Sequence, residues 1–177
     1  MGPTEINGLP AHALLVHVVV ILVPLAALLV VLSALWPAAR RRLGVVTPLV
    51  ALVALISVPL TTHAGEWLEA RVPADPLVQR HAELGDQLLP WAAGLFVVAA
   101  ATWIWTRRAG ASAAGGGAHA AARSGGTAET LVLTVLAVLA VVLGVGAVVQ
   151  IYRIGDSGAK AVWQDSFTQQ PRAGAGG

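Results

Sequence analysis

The sequence predicts an all-α integral membrane protein: a four-helix antiparallel bundle, up-down-up-down, with a small extracytoplasmic cap. Three observations predict it. Of 177 residues, 56% are hydrophobic and only 11% charged, where soluble domains carry about a quarter charged residues. The apolar residues gather into four runs, each near the roughly 20 residues a helix needs to cross a hydrocarbon core about 30 Å thick. Arginines cluster in the first and third connections and carboxylates in the second.

The opening "MGPTEINGLPAHALLVH" has no basic n-region, and the apolar run that follows is too long for a signal-peptide core, so it reads as a retained span over about 14–35. It ends before Trp36-Pro37, an interfacial aromatic beside a helix stop. The second span, about 43–62, follows Arg40-Arg41-Arg42. An outer loop, 63–85, comes next. Within it Asp75 is suited to cap a helix that has Pro76 at its first position and leads into the third span, about 86–105. That span closes on "TWIWTRR". The stretch from about 107 to 128 is rich in Gly, Ala and Ser and predicts a flexible linker, with His119 as bland filler. The fourth span covers about 130–151. The outer segment 153–177 begins "RIGDSGAKAVW", where Gly155 and Gly158 predict a helix break that turns "AKAVWQDSF" back along the surface. The GDSG within it resembles part of a serine-protease signature, but nothing else supports that fold. Pro24, Pro48, Pro59 and Pro90 lie in or at the edges of the runs and predict bends. Ala140, Gly144 and Gly146 offer small surfaces for close helix packing.

Orientation follows from short-loop arginines. Arg40, Arg41, Arg42 and Arg107, Arg108, Arg123 make the first and third connections cytoplasmic, while Glu66, Glu69, Asp75, Glu83 and Asp86 place the second outside. Both termini are then extracytoplasmic, in a cell membrane. The net charge is only +2, and its cations flank membrane segments, so no nucleic-acid partner is implied. The chain has no cysteine, which excludes disulfides, thiolate metal sites and covalent haem. No ionisable residue falls within 18–39, 43–62, 87–106 or 130–149. That argues against a pump, an ion route or a two-haem relay across the bilayer.

Counting about 20 residues outward from each cytoplasmic anchor brings His17, His63, Asp86 and Gln150 to one outer level, with His12, Glu66 and His81 about a turn beyond. Three readings compete. One is a single non-covalent haem b between helices, with His17 and His63 as the level-matched ligands and His81 in reserve. Another is a small metal site, built on His63 and Glu66 three apart, with His12, His81, Glu83 and Asp86 as further ligands. The last makes them boundary residues, bonded to backbone and headgroups. His17 weighs against it, because it interrupts "ALLVHVVVILV", where a polar group needs a partner. A cofactor-free subunit that docks a membrane or extracytoplasmic protein through its outer cap is the alternative function class. No catalytic residue is indicated.

The segments "INGLPAHALLVHVVV", "VPLTTHAGEWLEARV", "RHAELGDQLLPW" and "QIYRIGDSGAKAVW" resemble the bacterial membrane family known as domain of unknown function 2231, in its actinobacterial form. The resemblance spans nearly the whole chain outside the linker and the last ten or so residues. It implies a four-helix membrane domain with histidines recurring near one side, some relatives having haem-protein contexts. His12, His17, His63 and His81 match the family's histidine positions. Here Ala13 and Val18-Val19 stand where the family more often has proline and an HFP sequence.

Overall fold

A computed structural model describes residues 3–115 and 125–164. His119, the centre of the expected linker and the chain beyond 164 lie outside the described residues. The elements are a hairpin, β1 (Glu5–Ile6) and β2 (Leu9–Pro10), then α1 (Ala11–Leu35), α2 (Pro37–Leu43), α3 (Val46–Glu69), α4 (Pro76–Asp86), α5 (Leu88–Gly115) and α6 (Gly125–Trp163). Four helical stretches, based on α1, α3, α5 and α6, are long and apolar enough to cross a membrane. The protein is an all-α membrane helical bundle.

The hairpin comes from "INGL". Asn7 and Gly8 both adopt positive φ, 52° and 76°, the two-residue turn that Asn-Gly favours because its twist matches paired strands. The Ala11 amide donates to Thr4 O at 2.9 Å, so the hairpin satisfies one of the unpaired amides at the start of α1. Trp36 and Pro37 end α1, and the arginine-bearing α2 turns the chain. Gly44, at φ +48°, then admits it to α3, a conformation that costs a side-chain-bearing residue. The second long apolar helix, α3, therefore begins at Val46, with Leu43 closing α2. Asp75 caps α4 by accepting from the Leu77 amide at 2.7 Å, with Pro76 at the first helical position.

The spans form a ring. α1 packs on α3 and α6, and α5 packs on the same two. Antiparallel order is fixed by contacts at both ends: Ser33 bonds Thr47 at 3.0 Å, and His12 bonds Thr61. Each span buries one stripe at spacings of three and four. On α1 it includes Val19, Val23, Ala26 and Val30; on α3, Thr47, Ala51, Ala54, Val58 and Thr61; on α5, Leu88, Ala92, Leu95, Ala99 and Thr102; on α6, Ala140, Ala147, Gln150 and Ile154. Many are alanine or hydroxyl residues, which lets backbones approach where lipid supplies no hydrophobic drive. Large apolar residues such as Ile21, Leu28, Leu49, Val97 and Val145 are exposed, as lipid-facing positions should be.

Two glycines carry close contacts. A Cβ on Gly146 would overlap the Trp91 ring, and one on Gly144 would come within 3.0 Å of Val31. In contrast to the expectation from sequence, α6 is not broken at Gly155 or Gly158. It runs as helix to Trp163, because its outer part has α4 to pack against.

Candidate functional site

The buried stripe of α1 continues outward from Val19 through Val16 to His12, at steps of three and four. That of α5 continues outward from Leu88, across the break at Gln87, through the buried Leu84 to His81. Both histidines are therefore aimed at the same interior. Their ring centroids lie 6.1 Å apart with planes at 88°. The break leaves the Leu84 carbonyl buried, and Gln150 Nε2 donates to it at 2.7 Å, pinning α4 against α6.

Hydrogen bonds fix how each imidazole carries its proton. His12 Nδ1 is 3.0 Å from Thr61 O, and a carbonyl only accepts, so Nδ1 bears the hydrogen. His81 Nδ1 lies 3.1 Å from both Ile154 O and Ser157 Oγ. The Ser157 hydroxyl itself donates to Ile154 O at 2.8 Å, so it accepts from His81. In the neutral form each ring thus keeps Nδ1–H and leaves Nε2 as a lone pair with no hydrogen bond among the described residues. This is the tautomer that backbone bonding imposes on histidines serving as ligands. Neither Nε2 is sealed in: among the described residues the one enclosed side-chain polar atom without a partner is Thr102 Oγ1, at the far end.

Both rings face a cavity of about 620 Å³ between α1, α3, α4 and the outer part of α6. Valines and leucines form its floor, and Glu66, Glu69, Asp75 and Asp86 stand among its walls. Glycine admits each ring to its helix neighbour. A Cβ at Gly65 would come within 3.0 Å of His12, and one at Gly158 within 2.9 Å of His81. α4, with Arg80, Glu83 and Asp86, stands outside the apolar span. There burial pushes the His81 pKa below its usual value; the Ile154 bond opposes this shift and the nearby His12 adds to it. Burial thus favours the neutral form of His81.

His17 and His63 are not brought together. His17 is five residues beyond His12, which is about 7.5 Å along the helix and about 140° around it. It is exposed on the outer face of α1, with Nδ1 2.6 Å from Ala13 O. His63 stands two residues beyond Thr61, about 200° around α3, and faces Glu66 at 3.7 Å with its side chain 41% exposed. Neither lines the cavity. Level counting gives depth along a helix but not direction around it, and His17 and His63 share a depth without sharing an inward face. Small and hydroxyl residues at three-and-four spacing were the signal of direction.

Two imidazoles suit some groups and not others. A bare zinc or similar ion takes three or four protein ligands. Among the described residues no three His, Cys, Asp or Glu gather as a ligand set, so His12, His63, Glu66, His81 and Asp86 do not converge on one ion. Haem iron receives four nitrogens from its macrocycle and asks the protein only for axial ligands. The His12 and His81 ring centroids, 6.1 Å apart, leave room between the rings for one metal atom with bonds of about 2 Å.

A family model described as "Predicted membrane protein (DUF2231)" matches residues 8–171. Comparison with curated proteins and with solved structures found no match.

Proposed function

Since the chain belongs to the DUF2231 family of membrane proteins, we propose that it is a multi-pass membrane protein with a one-sided cofactor site, in which His12 and His81 hold a single b-type haem in a redox or sensing role. The observation that carries this reading is the pair of inward imidazoles, each with Nδ1 bound to a main-chain carbonyl on another helix and Nε2 left as a lone pair. The apolar floor of the cavity suits a macrocycle. Haem bound in this way supplies one-electron chemistry. The chain's part is to orient the two rings and exclude water from the floor. The distribution of arginines supports placing the histidine end outside the cell, with both termini there.

The test is the absorption spectrum of protein purified in detergent from haem-replete cells, oxidised and then reduced with dithionite. The native chain shows a Soret band and a sharp reduced α band. His12→Ala and His81→Ala each lose or broaden them, while His17→Ala and His63→Ala keep them. A featureless native spectrum, or equal spectra from all four variants, overturns the assignment. A featureless spectrum would favour the docking of an extracytoplasmic partner on the outer part of α6, where Tyr152 and Trp163 are exposed.

A further inference from the structure

The opposite end of the bundle holds a second pocket, of about 230 Å³, between the end of α1, α2, the start of α3 and the end of α5. Arg40, Arg41 and Arg107 line it, and no carboxylate does. None of the three arginines makes an ion pair among the described residues. Arg40 is fixed from behind: Nε donates to Ser33 O at 2.9 Å and Nη2 to Ala34 O at 3.3 Å, which leaves the Nη1 edge of its fork unused. Arg107 lies over the Trp103 ring at 5.0 Å.

An independent observation points to a ligand. Thr102 lines this pocket, is 4% exposed, and its hydroxyl has no partner. Other hydroxyls in the bundle turn back onto their own helix, as Thr61 does to Ser57 O and Thr106 to Thr102 O. Thr102 does not. A buried hydroxyl left this way is unfavourable unless something in the pocket bonds to it. Uncompensated guanidinium forks with a free hydroxyl donor are the donor set that phosphate oxygens require, and the N-terminal end of α3 adds a favourable dipole.

We propose that this pocket binds a phosphate group, that of an anionic phospholipid in the adjacent leaflet. Trp36, Trp103 and Trp105 surround this end at the level where membrane interfaces place tryptophan, and basic pockets between spans on the cytoplasmic side recognise such headgroups.

Thermal unfolding of the full chain in an uncharged detergent, followed by tryptophan fluorescence, tests the site. Phosphatidylglycerol, phosphatidylcholine and inorganic phosphate are titrated separately. Phosphatidylglycerol raises Tm and phosphatidylcholine does not. Thr102→Val and Arg107→Gln weaken the apparent affinity for phosphatidylglycerol about tenfold, and Thr102→Ser restores it. Without lipid, Thr102→Val melts no lower than the native chain, which separates a binding defect from a folding one. Inorganic phosphate giving the full shift keeps the site and assigns it to the free anion. Equal responses to the two lipids, or native-like responses from Thr102→Val and Arg107→Gln, overturn the proposal.

Discussion

His12 on α1 and His81 on α4 stand 6.1 Å apart with their ring planes perpendicular, and each is bound through Nδ1 to the main chain of another helix, His12 to Thr61 on α3 and His81 to Ile154 on α6. The pair therefore reports on the relative placement of three spans, α1, α3 and α6, and of α4. Any change that shifts α3 or α6 at this end moves a ring.

Acid should weaken the fold through His81. Burial favours its neutral form, so its folded pKa lies below the usual 6.5. Below about pH 6.5 the unfolded chain then takes up more protons than the folded one. The stabilisation is complete above that pH and is lost as pH falls from there towards the folded value. Tm in detergent should decline over this range, and His81→Gln should flatten the decline. An unchanged slope in that variant would remove His81 as its source.

Gln150→Leu should detach α4. It leaves the buried Leu84 carbonyl at the helix break without its donor, a loss of about 1–3 kcal/mol. The readouts are a lower Tm and faster proteolysis within 70–87. Gln150→Glu, which cannot donate when ionised, should behave like the leucine variant.

Gly146→Ala should separate α5 from α6, because the new methyl collides with the Trp91 ring. Overpacking of this kind typically costs about 1–3 kcal/mol. Pairing it with Trp91→Leu should recover most of the lost Tm. At Gly144, where only the Val31 side chain must give way, alanine should cost less.

Because the chain lacks cysteine, a single introduced thiol reports orientation. Glu83→Cys should react with a membrane-impermeant maleimide in intact cells, and Arg108→Cys only after lysis. The reverse pattern would invert the topology.

Which parts of this were legible in the sequence follows from what each signal measures. Long apolar runs, tryptophans and arginines fix the spans, since the bilayer constrains length and flanks directly. The hairpin was legible in Asn7-Gly8, a local signal that an apolar reading passes over. The inward faces were hard to see, because a helix such as α1 is apolar all round and its hydrophobic pattern names no side. Direction was written instead in Ser33, Thr47, Thr61, Thr102 and Gln150, the few polar residues among the buried ones. Following those stripes outward leads to His12 and His81 and passes by His17 and His63. The path of α6 beyond Gly155 depended on a neighbour, α4, whose docking no local signal records.

At 39 residues, α6 is about 58 Å long, nearly twice the thickness of the hydrocarbon it crosses. Unbroken at its glycines, it is a stiff lever whose fulcrum lies in the bilayer, where Gly144 bears on Val31 and Gly146 on Trp91. Its outer arm carries Ile154 and Ser157, the two partners of His81. A tilt of this lever, as a thicker or thinner bilayer would impose, appears at the arm as sideways travel. Such a tilt would carry the two partners of His81 sideways relative to α1, and with them the ring.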